Sequence, residues 1–521
     1  MEHRTRTHTD PARTPLIIGV GEITWRDKDP AHGLEPIALM EAALRAAQED
    51  ALAGARPHAG TALLQGIDAL DVVCEHSWPY ADAPALLCER LHIRPRHRAY
   101  AAAGGESPVR LLHEAALRIA AGESAVAAVV GAESSHTVAT ATKAGLSLPW
   151  SPKDTGARLL RGADICHPQA VRHGVVAPVN VYPFYENALA SAWGQSPAQA
   201  LQESALLWSS MSQAAARNPH AWQRQALGPD DIATPSERNR LIAWPYTLRM
   251  VANPLVNMGA AVLLTSLEMA LELGISPDRM VHVWGGASAQ EPRDYLARDH
   301  YGHAPAQEAV LEEAQRLVDG KPFDLLELYS CFPVVPKMAR RTLGLPANAP
   351  VSATGGLSFF GAPLNNYMTH AVAALVRGLR QAPEHTANAP QHALLYGQGE
   401  FVTKHHAMVL STQPPPPGRL RPDHSVQVQA DQRRGPVPPL TDQHEGPATV
   451  ETHTVVYGRE GQPDFGIVIA RTPDGQRLMS RVTATDTATL ARLTALDRSP
   501  VGQPGTTSLD DDGRLHWRFT A

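Results

Sequence analysis

The sequence predicts an α/β fold, duplicated and layered, interrupted by a loop domain and followed by a small C-terminal β domain. Three observations carry this reading. Short apolar strands alternate with segments of helical periodicity up to about residue 137. After an irregular stretch the same alternation resumes near residue 246 and runs to 412. A polar, Pro-rich segment then separates this body from β-branched, alternating runs punctuated by Gly and Asp-Gly. A chain of 521 residues exceeds what one ordinary core holds, which agrees with several units.

The elements follow in order. Leu16–Gly21 is a short apolar strand, and Glu35–Ala51 carries Ile37, Met40, Ala43 and Leu44 on one helical face. Ile67–Cys74 reads as strand, Ala83–Leu91 as helix, Arg98–Ala103 as strand and Leu111–Ala121 as helix. Ser124–Gly131 is a continuous apolar strand, expected to be buried on both faces of a mainly parallel sheet. Residues 138–245 break the rhythm and read as an inserted loop or cap domain, rich in Trp, Pro, Gln and Tyr. Strands then recur at Ala260–Thr265, Met280–Gly285, Phe323–Leu328, Val351–Thr354, His392–Tyr396 and Ala407–Leu410, with helices between them. The organisation is thus a first half at 15–137, the insertion at 138–245, a second half at 246–412, a Pro-rich linker at 413–447 and a β domain at 448–521. In that last domain Pro473-Asp-Gly475 marks a hairpin, and Asp486 is placed to cap a helix at Thr487–Leu496.

Bulk properties exclude several functions. The net charge of −6 gives no support to nucleic-acid binding. Basic residues in the β domain are balanced by Asp474, Asp486 and the Asp510–Asp512 run. Four widely spaced cysteines form no CxxC, which argues against a disulfide scaffold or zinc ribbon. The 24 histidines show no HExxH-like spacing, so no metal site is expected. With no apolar leader in Met1–Arg13 and no apolar run of about 20 residues, a cytoplasmic protein without membrane insertion is the expectation.

Several motifs, in order and on matching elements, give the chain a resemblance. They are Asn253-Pro-Leu-Val-Asn-Met-Gly-Ala-Ala261, Tyr329-Ser-Cys-Phe332, Gly355-Gly-Leu-Ser-Phe-Phe-Gly-Ala-Pro363 and Tyr396-Gly-Gln-Gly399. Over residues 15 to 412 this pattern resembles the thiolase superfamily, on the branch related to sterol-carrier-protein-2 thiolases. The resemblance implies a duplicated thiolase-type fold with αβαβα layers. For the C-terminal domain it implies an OB-like barrel, similar to that of a subgroup named acetyl-CoA acetyltransferase-like. It also implies acyltransferase activity on an acyl-CoA, with a coenzyme A thioester as substrate and no permanently bound cofactor. A homodimer or partner enzyme follows from the same source.

The departures from the family matter as much. Active thiolases place a nucleophilic cysteine on the strand-to-helix loop where this chain has Gly104-Gly105. The histidine of the Gly-His-Pro motif falls on Ala362, and that of the His-Asp-Cys-Phe motif on Tyr329. Losing a covalent nucleophile removes the two-step route to acyl transfer. Cys331, Tyr329 and His370 are therefore the candidate catalytic residues. Cys331 precedes a helix, which would favour its thiolate, though a buried inert cysteine fits equally. Tyr329 lies two residues away and would face the same side. His370 follows Asn366 by one turn, with Asn365 as the helix cap, and would stand in for the missing histidine if it faced the pocket. Glu106 or Ser107 would cap the helix after the glycine loop. Gly104, Gly105, Gly397 and Gly399 would let a ligand approach the backbone closely. The aromatic segments Val181–Tyr185 and Trp244–Tyr246 would wall an acyl tunnel. His405 and His406, pointing oppositely on a strand, read as structural or exposed. Two alternatives stand beside acyl transfer: a C–C lyase acting on β-hydroxyacyl-CoA, which needs no covalent nucleophile, and a non-catalytic CoA-ester-binding or scaffold protein.

Overall fold

The computed structural model describes residues 10–53, 55, 63–381 and 390–520. The first half contributes strands β1 (Pro15–Thr24), β2 (Ala69–Val72), β3 (His97–Tyr100) and β4 (Val126–Ser134). A short hairpin, β5 (Leu241–Ala243) and β6 (Tyr246–Thr247), ends the insertion. The second half adds β7 (Asn257–Ser266), β8 (Val281–Gln290), β9 (Leu325–Leu328), β10 (His392–Gly399) and β11 (Lys404–Ser411).

Nine of these strands form one sheet in the order β3-β2-β4-β7-β1-β8-β11-β10-β9. The seam of the sheet is the short antiparallel contact of β1 with β8, Leu16 opposite His282 and Ile17 opposite Val281, so β7, although it follows the insertion, lies on the first half's side. Outward from the seam the two sides correspond: β1 with β8, β7 with β11, β4 with β10 and β2 with β9. The duplication expected from sequence is therefore visible in the sheet order. The sheet is mixed rather than mainly parallel. Parallel pairing is confined to its ends, β2 with β3 and β4, and β9 with β10. β7 inserts antiparallel between β4 and β1, because the chain re-enters the sheet at the end where β4 left it, with Asn257 opposite Ser134.

The apolar run of β1 explains its central place. Leu16 and Ile18 enter one core with the helix Pro36–Leu52, while Ile17 and Val20 enter another on the opposite face. A strand buried on both faces needs an unbroken apolar sequence. The helices Ser107–Ala121 and Tyr367–Arg380 pack on each other and on strands of both halves.

The strand expected at Val351–Thr354 does not form. The buried Glu327 carboxylate of β9 takes the N–H groups of Ala353 and Thr354, at 2.8 and 2.9 Å, so these donors have a side-chain acceptor in place of a ladder. Glu327 also accepts from Ser352 and Tyr367 hydroxyls.

The C-terminal strands β12 (Gly446–Tyr457), β13 (Pro463–Arg471), β14 (Arg477–Thr483), β15 (Pro504–Leu509) and β16 (Leu515–Phe519) close a five-stranded barrel in the order β12-β13-β14-β16-β15. Asp486 caps the helix Thr487–Leu493, accepting from Thr489 N at 3.1 Å. The barrel is docked on the body. Buried Arg477 pairs with Glu451 at 2.6 Å and donates to the carbonyls of Leu296, Arg298 and Asp299. The linker lies on the second half, with Ser288 N donating to His424 O and Val426 N to Ser288 O, and it holds a short helix, Gln427–Arg433.

The insertion folds as helices, chiefly Pro178–Ala192 and Pro197–Arg217, each opened by a proline whose missing N–H costs nothing in the first turn. One buried ion pair joins it to the second half. Lys337 Nζ meets Glu186 and donates to Ser204 Oγ at 3.0 Å, with Glu186 also accepting from Tyr246 at 2.8 Å. Both charges are essentially inaccessible, so removing one leaves the other unpaired at a cost of about 3–5 kcal/mol. Lys337→Ala should therefore lower the thermal midpoint by several degrees, measured by circular dichroism. An unchanged midpoint would show that the pair does not hold the insertion.

Candidate functional site

A cavity of about 400 Å³ opens where loops of both halves meet the insertion. Its wall is mostly apolar, with Gly104, Gly105, Tyr329, Cys331 and Gly399 in it. A larger depression, about 870 Å³, lies between the helix Pro305–Leu317 and the linker, but charged surface residues such as Glu312, Arg316 and Arg419 line it and no nucleophile does.

The glycine loop explains the lost nucleophile in space as well as in sequence. A side chain on Gly105 would collide with the hydroxyl of Tyr329 and the carbonyl of Gln398. The phenol thus occupies the volume that a residue at Gly105 would need. Gly104 and Gly399 are equally constrained, because a Cβ on either would strike the carboxylate of Glu106. That carboxylate does not cap its helix, which starts at Ser107 without a side-chain cap. It is buried, and its Oε2 has no hydrogen-bond partner. Burial pushes its pKa up, partly countered by Lys404 and Arg110.

Cys331 is held as a neutral thiol. Desolvation pushes its thiol up to about 12, and its Sγ contacts Gln398 Oε1 at 3.7 Å. The helix after it starts at Val334, too far along to offset that penalty. Tyr329 is likewise held protonated, by burial first and then by Cys331 and Glu106. Gln398 is the hub of this wall. Its Oε1 also accepts from Tyr182 at 2.9 Å, and Tyr182 stacks on Phe332 with ring centroids 4.3 Å apart. Of the aromatic segments expected to form a tunnel, Tyr182 lines the cavity, whereas Trp244–Tyr246 does not.

Two expectations fail. His370 is not in the cavity. It lies inside the body, with Nδ1 2.6 Å from Glu22, whose carboxyl is held near 2 against the effect of burial by His370 and Arg377. Gly397 faces Val109, Glu106 and Met368 rather than the cavity, so its bare backbone serves helix packing. Asn365 also departs from its expected role. Rather than capping the helix, it accepts from Gly104 N at 3.0 Å and donates to Cys74 O at 2.8 Å. His405 and His406 do point to opposite sides, but both are buried, bonded to Tyr396 and His113 respectively.

Sequence reasoning missed three residues. His76, just after β2, lines the cavity; burial depresses its pKa, and its Nε2 is buried without a partner. Nothing in its sequence context distinguishes it from the other histidines. Glu106 or Ser107 is placed by sequence to cap the helix, whereas the structure puts the Glu106 carboxylate behind the glycine loop. Arg161, on the exposed segment Lys153–Arg161, stands at the rim. The wall at Gly399–Val402 is strained, with φ of +57° at both Glu400 and Val402. Hydrogen bonds from Tyr182 to Glu400 O and from Tyr185 to Phe401 O hold it.

Residues 427–512 match the family model of the thiolase-like protein type 1 additional C-terminal domain. No curated protein matches the sequence. Among solved structures, the chain is similar to a monomeric SCP2-thiolase-like protein type 1 from Mycobacterium smegmatis, at 28% identity and TM-score 0.80, covering 98% of this chain and 100% of that one. It is also similar to the Ltp2-ChsH2(DUF35) aldolase, at 16% identity and TM-score 0.59, over 78% of this chain and 100% of that one. A human mitochondrial 3-ketoacyl-CoA thiolase in complex with CoA shares 14% identity at TM-score 0.52, over 78% and 100%. No helix among the described residues is long and apolar enough to cross a membrane. The chain therefore has the thiolase-type fold, and the segment that holds most of its C-terminal barrel matches the thiolase-like protein type 1 additional C-terminal domain.

Proposed function

We propose that the cavity receives an acyl-CoA thioester and cleaves or forms a C–C bond by acid–base chemistry, without a covalent acyl-enzyme. The observation that carries this reading is the Tyr329 phenol seated over Gly105, beside a cysteine held neutral. Acyl transfer through Cys331 would require ionising a thiol pushed to about 12. A retro-aldol cleavage of a β-hydroxyacyl thioester needs only a base and a donor to the developing enolate.

In this scheme neutral His76 takes the proton of the β-hydroxyl. The Cα–Cβ bond breaks, an aldehyde or ketone leaves, and the electron pair moves into the thioester as an enolate. Tyr329 donates a hydrogen bond to the enolate oxygen, and Cα then takes the proton held by His76, which gives the shorter acyl-CoA and restores the neutral imidazole. Tyr329 stays protonated for this step first because of its burial and then because of Cys331 and Glu106 beside it. Arg161 at the rim, with Lys153 and Arg158 nearby in the chain, is suited to the phosphates of the nucleotide portion. An aldolase and a CoA-bound thiolase share the fold, which supports the reading.

The test is incubation with acyl-, β-ketoacyl- and β-hydroxyacyl-CoA esters, followed by mass spectrometry of small molecules and intact protein. The expected result is conversion of a β-hydroxyacyl ester to a carbonyl compound and a shorter acyl-CoA, with unmodified protein. His76→Ala and Tyr329→Phe should each lower turnover about 100-fold, while Cys331→Ala leaves it intact. An acyl adduct on Cys331 would sink the proposal in favour of acyl transfer. Bound ester without conversion would leave a binding protein. Because burial depresses the pKa of His76, the acid limb of the rate profile should lie at lower pH than that of an exposed histidine.

Two further outcomes are expected. Arg161→Ala should weaken CoA-ester binding several-fold in calorimetry, and added salt should shrink the difference. Glu106→Gln should raise the melting temperature at pH 8 and leave it unchanged at pH 4. The sign follows from a folded pKa above the unfolded one. The native state then resists ionisation, so the penalty appears as pH rises and vanishes once both states are protonated.

A further inference from the structure

Away from the cavity, three histidines far apart in sequence converge. His113 lies on the helix Ser107–Ala121, His406 on β11 and His424 on the linker. One ring nitrogen of each lies within 4.8 Å of the others. His113 Nδ1 and His406 Nε2 are 3.0 Å apart, and the His424 ring centre is 4.4 Å from that of His113 and 5.3 Å from that of His406. His113 and His406 are buried, and His113 Nε2 has no hydrogen-bond partner. His424 is held in place by its backbone, since Ser288 N donates to its carbonyl at 3.0 Å.

We propose that His113, His406 and His424 bind a divalent transition-metal ion of the zinc class, which ties the linker to both halves of the fold. Three neutral imidazoles are the donor set that borderline cations favour over Mg²⁺ or Ca²⁺. Tetrahedral bonds of about 2.05 Å place neighbouring nitrogens about 3.3 Å apart, close to the separation of His113 from His406. A hydrogen bond between those two rings satisfies one nitrogen of each, and His424 Nδ1 lies 3.2 Å from Pro422 O, which leaves its other nitrogen to the cluster. A metal uses all three lone pairs at once. Arg110 is the cation facing His406, and its guanidinium is paired with Glu114 at 2.9 Å. The three ligands come from the first half, the second half and the linker. The ion is therefore a clamp behind the helix whose N-terminus meets the cavity.

The test uses the full chain purified without a polyhistidine tag, loaded with Zn²⁺ and freed of excess by gel filtration. Elemental analysis should find about one tightly held equivalent, and Co²⁺ loading should give the visible absorption of a four-coordinate ion. His424→Ala and His406→Asn should each lose that equivalent. His303→Ala, in a separate surface group with Asp299 and His300, should keep it. Chelation should lower the melting temperature of the wild type and not that of His424→Ala. His424 is only half-buried on an external segment, so circular dichroism should show its variant folded. A wild-type chain that retains no Zn²⁺, or a folded His424→Ala that retains as much as wild type, overturns the proposal.

Discussion

The site depends on the side chain of Asn365. It accepts from Gly104 N at 3.0 Å and donates to Cys74 O at 2.8 Å, so one amide from the second half fixes two loops of the first. A planar amide with a donor and an acceptor on one end group sets both distance and angle between those loops. With the glycine loop so placed, Tyr329 closes over Gly105 and Glu106 is pressed between Gly104 and Gly399. Each of these residues is constrained by its neighbours, and none is fixed by its own element.

The electrostatic character of the cavity follows from the same closeness. Burial with few charged partners raises the pKa values of Glu106, Tyr329 and Cys331 and depresses that of His76. All four groups are thereby biased toward their neutral forms. Such a site suits proton transfer and hydrogen bonding to a developing charge more than attack by a thiolate. The strained wall at Glu400 and Val402 is held by Tyr182 and Tyr185 from the insertion. The insertion thus builds the cavity as well as covering it.

The barrel is integrated with the body by a shared core, which Ile467, Ile469 and Met479 enter, and by polar contacts. Its inner residues form a cluster of their own, including Val455, Leu478 and Trp517. Arg477 spends its donors on carbonyls of the body, and β5 of the insertion pairs with β12 at Ala243 and Val456. The linker is laid along β8 between these attachments.

The sequence by itself determined the two α/β halves, the excursion between them and the separate β domain. Each of those rests on local pattern: unbroken apolar runs for strands buried on both faces, 3.6-residue spacing for helices, and turn residues between them. It also determined which reactive side chains the motifs retain, and the alternation of a strand end put Tyr329 and Cys331 on one side. The tertiary structure decided the rest. Whether His370 meets the cavity or Glu22 depends on how a helix is rotated against a strand 348 residues away in sequence. The mainly parallel pairing expected of the sheet gives way to antiparallel pairs of β7 with β4 and β1 and of β11 with β8 and β10, and at Val351–Thr354 a buried carboxylate takes the place of the expected strand. His76 in the cavity wall, Glu106 behind it and the three converging histidines have no shared spacing in the chain. Their proximity is a product of packing between segments remote in sequence, which local pattern does not encode.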